Sequence, residues 1–191
     1  MRKARIERKT SETDITLTLN LDGNGDYSIS TGIKFLDHML GSFAKHGCFD
    51  LEIKAIGDNE HHIVEDVAIS LGSAFSKALG DKAGIKRFGF SLIPMDDVLL
   101  LTSADLSGRS YCSFGVKFRR KKIEDLSSEM LPHFIETLAS EAKMNLHVKL
   151  LDGKNEHHIA EALFKSLALS MDMATAKDER KAGIPSTKGA L

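Results

Sequence analysis

The sequence predicts an α+β protein built from duplicated ββαβα half-domains, each with a sheet covered by helices on one face. Three observations predict this. The phrase NEHHI occurs twice, at residues 59–63 and 155–159. A lone histidine precedes the HH pair of each copy, His38 by 23 residues and His133 by 24. Between these landmarks each half repeats the order helix, alternating strand, turn, helix, and such self-similarity marks a duplicated supersecondary unit.

Taken in order, the segments carry the expected periods. Residues 14–21 (DITLTLNL) alternate as a half-buried strand, and LDGNGDYSIS supplies a hairpin turn. From His38, Met39, Leu40, Phe43 and Ala44 fall at helical spacing, with Gly47 as the stop. Residues 50–55 (DLEIKA) return to strand alternation and GDN turns the chain. Ile63, Val67, Leu71 and Phe75 then trace one buried helical face. In the second half, residues 98–105 and 110–118 are strand candidates around the SGRS turn. A helix follows from His133, then the strand 145–150 (NLHVKL), the turn DGKN, and a helix with Ile159, Leu163, Leu167 and Met171 facing inward. The first half is expected over residues 1–93 and the second over 94–176, with a polar tail at 177–191. RRKK at residues 119–122 reads as solvated surface at a strand end.

Composition narrows the function classes. The chain has 191 residues, 42% apolar and 28% charged, an ordinary globular balance. A net charge of -1 provides no field that would favour nucleic acid or an anionic membrane, and neither is expected as a partner. Cys48 and Cys112 form no CxxC pair, which suits a reducing compartment. The opening MRKARIERKTSETD has charges where a signal peptide needs an apolar core, and the strongly apolar run at residues 98–101 is too short to span a bilayer. A cytoplasmic location is the expectation.

Six of eight histidines fall in two matching sets, His38, His61, His62 and His133, His157, His158, with Glu65 and Glu161 four residues after the first histidine of each pair. Imidazole with carboxylate suits manganese, iron or zinc. Residues at i and i+4 share a helix face, so His61 with Glu65, or His157 with Glu161, can hold one ion. His62 and His158 lie roughly 100° further round. Each pair is therefore expected to serve two metals, at sites assembled from distant elements or from different subunits. Arg87 (GIKRFG) and Arg109 (DLSGRSY) sit by glycine turns, where forked donors can bind a phosphate or simply form surface ion pairs. Ser186, Thr187 and Lys188 offer two hydroxyls and an ammonium to an anion. No P-loop or GxGxxG motif accompanies them. His46 and His147 stand alone, and His147 reads as an ordinary strand residue.

FLDHML, HHIVED, DLSGRSY, HFIETLA, NEHHIAEALFKSLA and IPSTKG together resemble the imidazoleglycerol-phosphate dehydratase family of histidine biosynthesis, over nearly the whole chain. The resemblance implies a ribosomal S5 domain 2-like fold for each half and an octahedral 24-mer with two Mn2+ per active site at subunit contacts. It implies the metal ligands His38, His61, His62, Glu65, His133, His157, His158 and Glu161. Substrate contacts would be Glu12, the segment from His38 to His46, Arg87, Arg109, Lys165, Ser186, Thr187 and Lys188, joined by the metal-set residues His61, His62, Glu65, His157 and His158. Among the carboxylates assigned to catalysis, Glu12, Glu65 and Glu161, Glu12 is the expected proton carrier, with a metal-activated water as its alternative. Asp97, Val98 and Ser110 depart from the family pattern. Two other functions are compatible with the histidine sets: a di-metal hydrolase and a non-catalytic metal-binding shell.

Overall fold

The computed structural model describes residues 2–191. In the first half the elements run β1 (Lys3–Lys9), β2 (Thr13–Asn20), β3 (Tyr27–Ser30), α1 (Lys34–His46), β4 (Asp50–Gly57) and α2 (Glu60–Leu79). The second half runs β5 (Phe88–Met95), β6 (Val98–Asp105), β7 (Tyr111–Gly115), β8 (Lys122–Ile123), β9 (Leu126–Ser127), α3 (Met130–Glu141), β10 (Asn145–Asp152) and α4 (Glu156–Thr175). The sheet orders are β1-β2-β4-β3 and β5-β6-β10-β7, the same topology twice. In each, three strands are antiparallel and the fourth, β3 or β7, adds parallel to its neighbour.

Each half thus carries the expected ββαβα order with one additional leading strand, and the second inserts the short β8 and β9 before α3. The sequence hides β1 and β5 for opposite reasons. In β1 only Ala4 is fully buried, and its other positions are charged or half-exposed, so the apolar alternation is faint. In β5 the alternation is inverted: Gly89 and Ser91 face inward, while Phe88, Phe90 and Leu92 are 57%, 62% and 51% exposed. Because β5 pairs with β6 from Phe88↔Asp105 to Met95↔Val98, sheet membership changes before Phe88, and a division at residue 93 passes through this strand.

Both sheets bury one face under helices. Ile15, Leu17 and Leu19 of β2 and Leu51 and Ile53 of β4 meet α1 and α2. The two halves then join helix to helix, α2 against α3 and α1 against α4. Small residues set these distances. A β-carbon on Gly72 of α2 would lie 2.5 Å from Cβ of Glu141 and 2.9 Å from the Leu138 carbonyl oxygen. On the other side, α4 lies so close to β5 that a β-carbon on Gly89 would fall 1.9 Å from the Ser170 carbonyl oxygen. Hydroxyls fill that seam: Ser91 donates to the Ser166 carbonyl at 2.7 Å, and Ser170 donates to the Thr102 carbonyl at 3.1 Å. In the first half, buried Asp66 on α2 holds the β1–β2 hairpin, accepting from Arg8 Nε at 2.8 Å and from the Thr13 hydroxyl.

Gly89→Ala is expected to destabilise the protein by roughly 3 kcal/mol, because the new methyl meets helix backbone that cannot move as a side chain would. Urea denaturation of the two proteins measures this.

Candidate metal centre

Each NEHHI phrase opens a helix, and its letters divide the work. Asn59 is the N-cap of α2, its side-chain oxygen accepting from the His62 amide at 2.9 Å. Asn155 does the same for α4, taking the His157 amide at 3.0 Å. The following glutamates reach the long connection between β7 and α3. Glu156, nearly buried, accepts from the amides of Arg119 at 2.7 Å and Arg120 at 3.1 Å, and Glu60 accepts from the Ser127 amide at 3.0 Å.

The histidines behind these caps fall into two groups. His38 of α1 joins His157 and Glu161 of α4, and His133 of α3 joins His61 and Glu65 of α2. Within each group the ligand atoms lie within 4.8 Å of one another. Each set therefore takes its pair of i, i+4 ligands from one half and its lone histidine from the other. His133 Nε2 is buried without a hydrogen-bond partner; Glu65 approaches it at 3.4 Å. A buried, unsatisfied imidazole nitrogen facing a carboxylate is the donor arrangement a hard or borderline divalent cation takes. These residues fit such an ion.

His62 and His158 do not join the sets. Each ring stands at 89° to the preceding histidine, with centroids 6.0 and 6.2 Å apart. His62 is held by Asp58, with Nδ1 2.8 Å from the carboxylate, and Glu12 lies 3.7 Å from its Nε2. His158 is held by Asp97 at 2.7 Å from Nδ1, with Asp96 3.5 Å from Nε2. The two hairpin tips, β1–β2 and β5–β6, thus play matching parts. Asp58 and Asp97, which hold these two rings, are partners that motif reasoning missed. Asp58 was within reach as an i−4 carboxylate; Asp97 lies 61 residues from its histidine and is visible only in the fold.

Charge is distributed to match. The hydrogen bond with Asp58 leads the effects that raise the His62 pKa above 6.5. Amide donation from Lys154, then the hydrogen bond with His158, holds the Asp97 carboxyl far below the usual carboxylate range. Burial pushes Glu161 up, but Lys165 at 2.8 Å and the nearby His38 and His157 outweigh it, so the carboxyl stays below its ordinary value. Burial, reinforced by Lys165, pulls His46 down. His46 and Lys165 therefore border the His38 set.

The remaining residues expected to touch substrate lie elsewhere. Arg87, Ser186 and Thr187 line a cavity of about 500 Å3 together with Lys86 and Lys181, with no histidine among its walls. Arg87 is already committed, its guanidinium bonded to Asp105 at 2.6 and 3.1 Å and to the Pro185 carbonyl at 2.9 Å. Arg109 occupies the β6–β7 turn, which the C-terminal Leu191 covers at Gly108, and its guanidinium has no carboxylate partner among the described residues. The Lys188 amide donates to the Ser186 hydroxyl, and its ammonium has no bonded partner among the described residues.

The chain matches the sequence model of the family described as imidazoleglycerol-phosphate dehydratase over residues 31–171. It is 53% identical to the imidazoleglycerol-phosphate dehydratase of Methanocella arvoryzae, covering 100% of both chains. The same-named protein of Acetivibrio thermocellus is 51% identical, covering 100% of this chain and 99% of the relative. Among solved structures, that of Pyrococcus furiosus superposes with a TM-score of 0.86 at 37% identity, covering 97% and 100% of the two chains. The Staphylococcus aureus structure gives 0.85 at 31%, covering 92% and 99%.

In metal-free protein, His62 should titrate above 6.5, and Asp58→Asn should return it toward that value. The ion pair contributes stability fully below pH 6.5 and loses it as pH rises through the raised folded value. Histidine hydrogen–deuterium exchange followed by mass spectrometry reads both midpoints; an unchanged midpoint in the variant would show that Asp58 does not hold the ring.

Proposed function

The chain belongs to the imidazoleglycerol-phosphate dehydratase family, and from that membership we propose that it is the manganese-dependent hydro-lyase converting D-erythro-imidazole glycerol phosphate to imidazole acetol phosphate in histidine biosynthesis. The observation that carries the reading is the pair of crossed histidine–glutamate sets, one of which leaves the buried His133 nitrogen unsatisfied.

His38, His157 and Glu161 would hold one ion, and His61, Glu65 and His133 the other. Bound there, manganese supplies Lewis acidity and a fixed anchor for the substrate's imidazole nitrogens. The chain's own residues supply the rest. The reaction breaks the C–O bond beside the ring and the C–H bond on the next carbon, water leaves, and the resulting enol tautomerises to the ketone. The C–H proton needs a carrier, and our candidate is Glu12, on the hairpin tip 3.7 Å from His62 Nε2. Arg109, Lys188, Ser186 and Thr187 offer donors for the phosphate. Arg87 shares a cavity with Ser186 and Thr187, its fork held by the Asp105 carboxylate and the Pro185 carbonyl. Anchoring the phosphate positions the reacting carbons.

Three ligands per set would leave a bound manganese short of its usual complement of about six, while His62 and His158 stand outside the sets of their own chain. We infer that neighbouring copies exchange these histidines in an octahedral 24-mer. The exposed Phe88, Phe90 and Leu92 supply an apolar face for such packing, unlike the charged outer face of β1. No helix is long and apolar enough to cross a membrane among the described residues, and we propose a cytoplasmic location.

Metal-stripped protein assayed on imidazole glycerol phosphate should be inactive and should recover when manganese is restored. Activity surviving complete stripping would overturn the reading, as would turnover of simple phosphoesters alone. Glu12→Gln should lower kcat by roughly 10²–10⁴ with manganese uptake intact. Chelation should shrink the assembly on a light-scattering column.

A further inference from the structure

The connection between β7 and α3, residues 116–129, has no counterpart in the first half, where Thr31–Ile33 alone join β3 to α1. It folds into the β8–β9 hairpin, with Ile123 paired to Leu126 and Glu124 and Asp125 as the two turn residues. The hairpin is fixed from several sides. Ile123 and Leu126 are buried, Glu60 binds the Ser127 amide, and Glu156 binds those of Arg119 and Arg120. Asp125 reaches the other half, accepting from the amides of Lys34 at 2.8 Å and Phe35 at 2.9 Å. It thereby caps α1, whose own N-cap residue, Ile33, has no side chain able to do so.

Within this fixed turn Glu124 has φ 51°. The first position of a two-residue hairpin turn with positive φ is one that glycine fills without penalty and a residue with a β-carbon fills under strain. Strain held in place by surrounding bonds points to a use for the side chain. Glu124 Oε1 lies 3.4 Å from Nδ1 of His157, while Nε2 of the same ring faces Glu161 at 3.9 Å. The ring also packs against Phe35, with centroids 5.1 Å apart. The arrangement repeats at His62 with Asp58 and at His158 with Asp97, each carboxylate at Nδ1. His61, the counterpart of His157 in the first half, has no carboxylate at hydrogen-bonding distance among the described residues.

We propose that Glu124 is a positioning residue for the His38–His157–Glu161 set. By accepting a hydrogen bond from Nδ1–H of His157 it fixes the tautomer and ring angle, so that the Nε2 lone pair faces the set. The set containing His61 lacks this support, which makes the two ion sites unequal. This inference rests on the metal-binding reading above and adds to it one residue with an expected consequence of its own.

The test titrates manganese chloride into metal-stripped wild type, Glu124→Gly and Glu124→Gln by calorimetry, with thermal melts of the metal-free proteins. Glu124→Gly should melt at or above wild type, since glycine relieves the turn, yet bind one of the two ions about tenfold or more weakly, with the other within twofold. Glu124→Gln, which keeps length and shape, should weaken the same step by less. An isotherm unchanged in both variants while wild type binds two ions overturns the role of Glu124 alone. A metal-free Glu124→Gly that melts well below wild type with both binding steps intact would make the residue merely structural. Wild type that takes up no manganese overturns the metal reading itself, and this inference with it.

Discussion

The helix-to-helix junction between the halves governs everything else in the molecule. Each sheet covers one face with two helices, and those helices have a second apolar side that no strand reaches. Burying it needs a partner layer, and the other half supplies one. With α2 on α3 and α1 on α4, the leading histidine of each half is carried to the HHxxE helix of the other. Neither half could assemble a set alone. Gly72, whose absent β-carbon lets α2 approach the Leu138 carbonyl, belongs to the metal centre in this sense although it touches no ligand.

Around that junction the protein spends carboxylates with care. Asp58, Asp97 and Glu124 face imidazole nitrogens, while Glu60, Glu156 and Asp125 hold backbone amides. In the second group Glu60 and Glu156 pin the connection between β7 and α3 and Asp125 caps α1, while the first group fixes how the rings turn. The histidine pairs can then split, one ring inward and one outward, because neighbouring positions diverge around a helix and each direction has its own support.

Much of this was legible in the chain, and the gaps have physical causes. Ile63, Val67, Leu71 and Phe75 are buried as their spacing requires, as are Ile159, Leu163, Leu167 and Met171. Periodicity reads well where one face is buried. It fails at β5, where the exposed positions are the apolar ones, and at β1, where charge masks the strand. The duplicated histidines and glutamates were evident, but which histidine joins which glutamate was not, since the pairing depends on the packing of the halves. Asp97 drew notice only as a departure from a pattern. Its hydrogen bond to His158 spans a loop contact between β5–β6 and the start of α4, which no local signal encodes. Arg87 was legible as a forked donor near a turn, but its partner Asp105 lies on a neighbouring strand.

The Asp125 cap has a consequence for how the chain reaches this state. Helix α1 stays open at its N-terminus until a residue 90 positions later arrives, so its first turn cannot be secured while only the first half has emerged from the ribosome. The duplicated halves resemble two small domains, yet they share this stitch and the crossed ligand sets. These links couple the stability of the first half to residues synthesised after it.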